Sequence, residues 1–318
     1  MSRLPSFLVS APPSVGVEIA SDRVTAVALG RQGGSHTVAG YAVERLMPGV
    51  VTPALNSVNI QDEEAAATAV RSALEKLGTR ARRVALVVPD TAAKVSLLRF
   101  EKVPGASDLD QLIRWQMRKA APFKPEDAEI SWVPASALPE GGREFLVTLA
   151  RRDIIESYER ACAAAGAQAG IVDLATLNLI NAVLAAPAAA PSEDWLVVHV
   201  APDYATLAIV RGRDLIFFRT RQLETDADLA DLVHQTAMYH EDRLGGSRFA
   251  RVVLSGASAR GADAGERARK GLEERLGVRV EPLDFRGGAA MVDRIAAGAE
   301  LLDVLAPAVG VVLRERVA

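Results

Sequence analysis

The sequence predicts a two-lobed α/β fold made of two copies of one architecture, with an α+β subdomain inserted into the first copy. The main observation is a repeat, because the strand-turn-strand pattern at 15–29 returns at 196–210. Four pairs of positions are identical in the two copies: Val17/Val198, Ala20/Ala201, Asp22/Asp203 and Thr25/Thr206. Two copies half a chain apart indicate duplication, since a solenoid would repeat about every 20–50 residues. Two further observations support this organisation. The sequence pattern changes at 91–167, and a Pro/Ala-rich linker follows at 185–194.

The first lobe is predicted to comprise residues 14–90 and 168–186. It begins as a meander, because segments rich in β-branched residues are separated by turn signals. The predicted elements are strands at 15–20, 24–32 and 36–46, a loop at 48–59, a helix at 62–78, a buried strand at 83–89, and, after the insertion, a strand at 171–174 and a helix at 176–186. Acidic residues in the first turn and a terminal Gly78 support the helix at 62–78.

The inserted subdomain is predicted at 91–167, where a strand-helix-strand-strand-helix order replaces the meander. Ser107 is expected to cap its first helix, with Asp108 and Asp110 near the positive end of the helix and Pro122 closing it. Strands are predicted at 94–103, 130–133 and 145–151, and a second helix at 153–166.

The second lobe is predicted at 194–318, after the linker. It repeats the meander up to residue 222. Beyond that we expect a long helix at 226–244, a strand at 251–254, a helix at 265–276, a strand at 278–282 and a final helix that ends near residue 312.

The composition is that of an ordinary soluble globular protein, with 49% hydrophobic residues, 24% charged residues and a net charge of −3. This balance excludes the strongly basic footprint of a nucleic-acid-binding protein. Cys162 is the only cysteine, which excludes an internal disulfide and fits a reducing compartment. Because we find neither a membrane-spanning run nor a signal peptide, we expect a cytoplasmic protein that contacts membranes only through partners.

Common catalytic and metal-binding patterns are not found. The four histidines (His36, His199, His234 and His240) form no i, i+4 pair, and no cysteine or acidic cluster joins them. The segment LSGAS at 254–258 lacks the second glycine of a nucleophile elbow. We therefore predict neither a metal site nor a catalytic residue.

Four segments carry a resemblance to a known family. These are Val87–Pro89, the run at 94–133 with Pro122-Phe123, the segment VTLARRDIIESYERACAAAGAQAGIVDLATLNLINAV at 147–183, and LAPAVGVVLR at 305–314. In this order, and with the internal repeat, they resemble the PilM family of type IV pilus assembly, which is related to the cell-division protein FtsA. The resemblance covers about residues 14–316.

The resemblance implies an actin-like fold, that is, a duplicated ribonuclease H-like fold. It also implies a cytoplasmic scaffold, peripheral to the inner membrane, that binds the N-terminal cytoplasmic peptide of a single-pass, PilN-like membrane protein. Self-association stays open. Two alternatives also stay open: an active actin-like ATPase that drives assembly, and the cytoplasmic module of a GspL-like type II secretion protein. One departure is the single helix at 226–244, where the family has a fuller subdomain over the nucleotide cleft.

The resemblance also places three nucleotide motifs, and all three are altered here. The Asp-x-Gly of each phosphate turn corresponds to Glu18-Ile19-Ala20 and to His199-Val200-Ala201, while Ser255-Gly256-Ala257-Ser258 stands at the adenosine loop. A neutral imidazole is a poor Mg²⁺ ligand, and a Cβ hinders close approach of the backbone to phosphate. The degenerate nucleotide site would comprise Glu18, Ala20, Ser21, Asp22, His199, Ala201, Asp203, Gly256, Ala257 and Ser258. We expect no ATP hydrolysis, although weak ATP binding stays open, and we interpret Glu18 and His199 as a hydrogen-bonded pair across the cleft.

The partner peptide is predicted to dock beside the inserted subdomain, and the resemblance points to the groove between the first lobe and this subdomain. The edge of the 94–100 strand can accept an added strand, and aromatic side chains nearby can anchor a peptide. The predicted partner-binding residues are Lys94, Ser96, Leu98, Arg99, Trp115 and Phe123. The alternative is that the apolar stripe around Trp115 packs on the subdomain's own sheet.

Overall fold

The computed structural model describes residues 13–78, 82–186, 193–223, 226–292 and 297–314. The first half of the chain contains β1 (Val15–Ile19), β2 (Arg23–Gln32), β3 (Ser35–Arg45), α1 (Glu63–Lys76), β4 (Arg83–Val88), β5 (Ala93–Phe100), α2 (Ala106–Lys119), β6 (Ala128–Ala137), β7 (Arg143–Arg151), α3 (Arg152–Ala164), β8 (Gln168–Leu174) and α4 (Ala175–Leu184). The second half contains β9 (Asp194–Val200), β10 (Tyr204–Arg211), β11 (Asp214–Gln222), α5 (Asp226–Leu244), β12 (Arg251–Ser255), α6 (Ala262–Leu276), β13 (Val280–Pro282), β14 (Ala289–Met291) and α7 (Ala299–Leu313).

Two sheets of matching order confirm the duplicated two-lobed fold. The first lobe contains a sheet of order β14-β3-β2-β1-β4-β8, and the second lobe a sheet of order β11-β10-β9-β12-β13. In each, an antiparallel meander is followed by a parallel strand, β4 beside β1 and β12 beside β9. Both central strands are fully buried, which fits their nearly continuous apolar sequences.

The C-terminal part of the second half returns to the first lobe, which corrects the assignment of all of 194–318 to the second lobe. β14 adds to β3 in parallel, pairing Ala289–Met291 with His36–Val38. α7 packs on α4 and on strands β1, β2 and β4. The approach is close at two glycines, because a Cβ on Gly16 would lie 2.1 Å from the Ala308 oxygen and one on Gly310 would lie 1.8 Å from the Asn178 oxygen.

The inserted subdomain is smaller than the predicted 91–167. It consists of the sheet β5-β7-β6 with α2 packed on one face. α3, predicted within it, packs on α1 instead, and its buried Ile154, Tyr158 and Cys162 belong to the core of the first lobe. Periodicity predicted the apolar face of α3 but carries no information on which sheet that face covers.

Helix α1 begins as predicted, with the Asp62 side chain accepting a hydrogen bond from the Ala65 amide at 2.9 Å. Helix α2 begins one residue before the predicted cap, so Gly105 and not Ser107 takes the N-cap position. Most of the linker at 185–194, namely 187–192, lies outside the described residues, and Asp194 already belongs to β9. None of the helices in the described segments is both long and apolar enough to cross a bilayer.

Candidate functional site

The two predicted phosphate turns face each other across the cleft between the lobes. Their backbones are equivalent, because the Ala20 amide donates to the Arg23 oxygen and the Ala201 amide to the Tyr204 oxygen, both at 2.9 Å. The turns also touch directly, since the Ser21 hydroxyl donates to Asp203 Oδ1 at 3.1 Å. The cleft is therefore closed at this point by a bond between protein side chains.

A buried arginine lies behind the first turn, next to two acidic residues. The Arg23 guanidinium lies 3.6 Å from Glu18 Oε2 and 3.0 Å from Asp22 Oδ1. Burial alone would lower the pKa of Arg23, but the charges of Glu18 and Asp22 outweigh burial and raise it. Burial raises the pKa of the Glu18 carboxyl to about 6, against the opposing effect of Arg23. Sequence reasoning missed Arg23, since an arginine beside a turn is usually exposed.

His199 faces this cluster from the second lobe. Its ring packs edge-to-face on Tyr204, with centroids 5.8 Å apart. The predicted hydrogen bond to Glu18 does not form between these two described residues, because Glu18 pairs with Arg23 and His199 Nδ1 is buried without a partner. Burial, and next the charge of Arg23, lower the pKa of His199 to about 3. The imidazole is therefore neutral at physiological pH.

Asp90 joins the two lobes below the turns, and sequence reasoning missed it as well. This buried carboxylate, which follows β4, accepts hydrogen bonds from the amide and hydroxyl of Thr176 in the first lobe and, at 2.8 Å, from the Thr206 hydroxyl of the second lobe. The Asp90 amide also donates to the Tyr204 hydroxyl at 3.2 Å. Burial raises the pKa of Asp90 to about 6, although these hydrogen bonds oppose the rise. The signal in the sequence that could have identified Asp90 was an acidic residue just after a buried apolar strand.

The predicted adenosine loop lies next to the second turn. Gly256 has φ +85, and a Cβ there would lie 2.3 Å from the Val200 oxygen, so this position requires glycine. The Ser258 amide donates to Asp303 Oδ2 of α7 at 2.9 Å. Burial raises the pKa of Asp303. Ala257, the third residue of this loop, is buried. The structure thus brings together the residues of all three predicted motifs.

The residues present do not fit a magnesium-bound nucleotide. A guanidinium already stands between the acids that a metal would need, and a direct Ser21–Asp203 bond joins the turns that would hold phosphates. His199 cannot replace the oxygen ligands that Mg²⁺ prefers. Among the described residues, no three His, Cys, Asp or Glu side chains are grouped to hold a metal ion.

A cavity of about 700 Å³ opens between α5 and α6, next to the second predicted phosphate turn. It is bordered by the adenosine loop at Ala257 and carries several arginines on its α6 side. Its lining includes Val200, Leu223, Leu229, Ala257, Arg260, Arg267, Gly271 and Arg275. The site thus combines an open cavity between α5 and α6 with two predicted phosphate turns that are bonded directly to each other.

The six predicted partner-binding residues lie on the outer part of the inserted subdomain. Lys94, Ser96 and Leu98 alternate along β5 on the face that α2 covers, because they pair with Leu149, Val147 and Phe145 of β7. Arg99 is exposed. Trp115 is 54% exposed, with Lys119 Nζ 3.4 Å from its ring centroid, and Phe123 packs at the margin of the subdomain core.

The apolar stripe of α2 packs on the subdomain's own sheet, as the alternative interpretation predicted. Leu109, Ile113 and Met117 are buried against Phe145, Val147 and Leu149. Trp115 points away from this core.

A separate groove of about 570 Å³ lies where the inserted subdomain meets both lobes. It is lined by the second face of the subdomain sheet, by β8 and α4, and by the turn before β11. These residues are Ser131, Trp132, Val133, Pro134, Ala135, Leu146, Thr148, Val172, Asp173, Leu177, Ile180, Asn181, Leu184, Arg213, Asp214, Leu215 and Arg314. None of the six predicted partner-binding residues is among them.

His199→Asn is expected to make the protein less sensitive to acid. In the folded protein the imidazole stays neutral down to about pH 3, whereas in the unfolded chain it takes up a proton near its ordinary pKa of 6.5. At this residue the unfolded state thus binds more protons between these values, so the contribution of His199 to stability falls as the pH is lowered. From pH 7 to pH 5 this contribution falls by about 2 kcal/mol. Glu18 and Asp90, whose pKa values are raised to about 6, contribute with the opposite sign in both proteins. The change in unfolding free energy between pH 7 and pH 5, measured by urea unfolding, should therefore differ by about this amount between the wild type and His199→Asn. His234→Asn, exposed on α5, is the control, and an unchanged pH dependence in His199→Asn would contradict the assignment.

Comparison with known proteins supports the fold. A chain of a PilM–PilN type IV pilus biogenesis complex superimposes with a TM-score of 0.80 at 18% identity, covering 96% of this chain and 98% of that chain. A Bacteroides thetaiotaomicron protein of actin-like ATPase fold and unknown function matches with a TM-score of 0.51 at 8% identity, over 88% and 94% of the two chains. The ethanolamine utilization protein EutJ from Carboxydothermus hydrogenoformans matches with a TM-score of 0.51 at 12% identity, over 96% and 90%. The predicted actin-like fold is therefore confirmed.

The sequence itself matches the family model of the type IV pilus assembly protein PilM over residues 16–242. The match runs from β1 to the end of α5 and includes both phosphate turns and the inserted subdomain. The chain therefore belongs to the PilM family of type IV pilus assembly proteins.

Proposed function

We propose that this protein is a scaffold of the inner-membrane platform of a type IV pilus, and that it binds an extended cytoplasmic peptide of a PilN-like membrane protein. The observation that carries the proposal is the groove where the inserted subdomain and both lobes meet. Family membership supports the pilus assignment, and the structurally similar chain comes from a complex of PilM with PilN. The partner, a single-pass protein in this proposal, would hold the scaffold at the membrane.

The groove offers both backbone and side-chain contacts to an extended peptide. β6 is an edge strand, and its groove-lining segment at 131–135 has no partner strand on its outer side among the described residues. Such an edge donates and accepts main-chain hydrogen bonds, while pockets beside it select side chains. The apolar wall opposite, formed by Val172, Leu177 and Ile180, supplies those pockets. A short peptide with alternating apolar side chains therefore fits this groove best.

Charged groups of both signs line the groove. Arg314 lies 3.3 Å from Asp173, and burial raises the pKa of Asp173 against the opposing effect of that arginine. Arg213 and Asp214, at the β10–β11 turn, also line it. Charges of both signs in the lining can favour one direction of a bound peptide, because they attract opposite charges of the peptide.

Val133→Asp is expected to weaken peptide binding at least about ten-fold, because docking would bury a carboxylate against an apolar wall. Val133 is 47% exposed, so the variant should fold. The measurement is a fluorescence anisotropy titration with the labelled N-terminal tail of the PilN-like protein, accompanied by a thermal melt.

Trp115→Ala and Arg99→Ala are the controls, because both side chains lie outside the groove. Both variants should bind the tail like the wild type. Loss of binding in Trp115→Ala, with normal binding in Val133→Asp, would move the site to the outer surface of the subdomain that the sequence suggested.

We further propose that the nucleotide site is degenerate and does not hydrolyse ATP. Arg23 between the acids and the bond between the turns support this proposal. Purified protein with Mg²⁺ and ATP should release phosphate at the background rate. Turnover that is abolished by Glu18→Ala or His199→Ala would favour the alternative of an active ATPase. A titration with labelled ATP tests weak binding without turnover, for which the α5–α6 cavity is the place.

A further inference from the structure

We propose that the inserted subdomain has a second contact surface, on its side away from the groove, which binds the anionic surface of a phospholipid bilayer. This surface, which we call the Trp115 surface, comprises Lys94, Trp115, Arg118, Lys119 and Lys124. The inference goes beyond the proposed function, in which a membrane protein provides the attachment, because the chain itself contacts lipid. It does not depend on which peptide occupies the groove.

Trp115 occupies the middle of the exposed face of α2. The opposite face of this helix is buried against the sheet of the subdomain through Leu109, Ile113 and Met117. Since an α-helix has 3.6 residues per turn, Trp115 lies about 160° around the helix axis from Ile113. Lys119, one turn further along, holds its Nζ 3.4 Å from the centroid of the indole ring. The indole is therefore held on the outside of the helix and contributes nothing to the subdomain core.

Cations from three segments of the chain surround this indole. Arg118 and Lys119 lie in the last turn of α2, and Lys124 lies in the segment that follows it. Lys94 belongs to β5, and its Nζ donates to the Ala120 oxygen at the end of α2, at 3.3 Å. All four cationic side chains are exposed. The fold thus assembles them at one end of one helix.

Acidic side chains do not neutralise this surface. Within the described parts of the chain, none of its four cations forms an ion pair, whereas Asp110 on the same helix is already paired with Arg114 at 2.8 Å. Glu126 and Asp127, in the short turn after the helix, are the nearest acids that follow in the sequence. The Trp115 surface therefore has an excess of positive charge, although the net charge of the whole chain is −3.

The dipole of α2 explains only part of this arrangement. The negative C-terminal end of a helix favours cations in its last turn, which accounts for Arg118 and Lys119. It does not account for Lys94 and Lys124, which belong to other segments, or for an exposed indole. Four of the six lysines of the chain lie at 94–124. A lysine carries a hydrated point charge on a flexible stem, which suits a mobile layer of lipid phosphates.

An anionic bilayer surface matches both the charge and the indole. Basic side chains are attracted to anionic headgroups, while a tryptophan ring enters the interface with its apolar body toward the acyl chains and its N–H toward water. The groove lies on the other face of the subdomain sheet, because α2 packs on Val147 whereas the adjacent Leu146 and Thr148 line the groove. A bilayer on the Trp115 surface therefore leaves the groove open to a peptide.

The test is cosedimentation of the full chain with vesicles of two parts phosphatidylcholine to one part phosphatidylglycerol, and with vesicles of phosphatidylcholine alone. The wild type should bind the anionic vesicles at least about ten-fold more tightly than the neutral ones, and raised salt should release it. Equal binding to both kinds of vesicle would overturn the proposal. No binding to the anionic vesicles would also overturn it, and would favour an acidic protein as the partner of this surface.

Two variants locate the contact. Arg118→Gln/Lys119→Gln/Lys124→Gln should bind anionic vesicles at least about ten-fold more weakly than the wild type, and Trp115→Ala at least about five-fold more weakly. A thermal melt checks that both are folded. Wild-type binding by the folded triple variant would overturn the proposal, as would wild-type binding by folded Trp115→Ala. If Trp115→Ala does not fold, the triple variant decides alone.

Matched controls come from exposed residues of the second lobe. Arg219→Gln/Arg221→Gln/Arg243→Gln makes the same change in net charge, and Met238→Ala removes another exposed apolar side chain. Both should bind anionic vesicles like the wild type, and an equal loss in the control triple variant would overturn the assignment to this surface. The labelled tail peptide, titrated without vesicles, should bind all of these variants like the wild type. Failure of the lipid contact and failure of the groove are thus separate results.

Discussion

Replacing Gly310 by valine is expected to lower the free energy of unfolding by about 4 kcal/mol. A Cβ at this position would lie 1.8 Å from the Asn178 oxygen, an atom of the α4 backbone. Overpacked cores usually relax by moving side chains, but here a helix must move, and α4 and α7 together carry much of the core between the lobes. We therefore expect an effect above the usual range for overpacking, measured by urea unfolding.

Gly271→Ala is the matched control for this experiment. Gly271 also lies within a helix, α6, but it is exposed and a Cβ there would meet nothing within 4 Å. Alanine should stabilise that helix by up to about 1 kcal/mol. A Gly310→Val protein as stable as the wild type would mean that α4 and α7 are not packed as described.

Asp90→Ala is expected to cost about 3–4 kcal/mol of stability, because the change leaves several buried donors without an acceptor. The Thr176 amide, the Thr176 hydroxyl and the Thr206 hydroxyl all donate to this carboxylate. Thr206 can turn to Thr220, whose hydroxyl lies 2.9 Å away, but Thr176 has no such substitute among its described contacts. Calorimetric melting measures the loss.

Asp231→Ala is the control for Asp90, since Asp231 is exposed on α5. A change within about 0.5 kcal/mol is expected there. If Asp90→Ala proved equally mild, Asp90 would not be the link between the lobes that the structure describes.

Most of the elements could be predicted from the sequence because their periodicity and end signals are local. Helix α5 has the predicted bounds of 226–244, and the three strands of the first meander differ from the predicted ones by one residue at one or both ends. Local patterns carry no information on which other part of the chain an element packs against. α3 covers the sheet of the first lobe, α7 crosses back to it, and the three-residue β14 is too short to show an alternation.

For the candidate site, too, local features could be predicted from the sequence, whereas long-range contacts could not. The repeat located both turns, and the structure brings Glu18, Ser21 and Asp22 opposite His199 and Asp203 as expected. Arg23 and Asp90 could not be assigned, because an arginine or an aspartate beside a turn is normally solvated. Their burial follows from the second lobe closing over them, which is a long-range property.

The pairing of β14 with β3 also affects how the chain reaches its structure during synthesis. The first lobe receives one strand and one packed helix from the last part of the described chain, long after its own meander has been made. Contacts of such large sequence separation slow folding, and they leave the edge of β3 and the face later covered by α7 without their partners on the nascent chain. The first lobe should therefore depend on chaperones during translation, and a fragment cut after α6 should expose that face and aggregate.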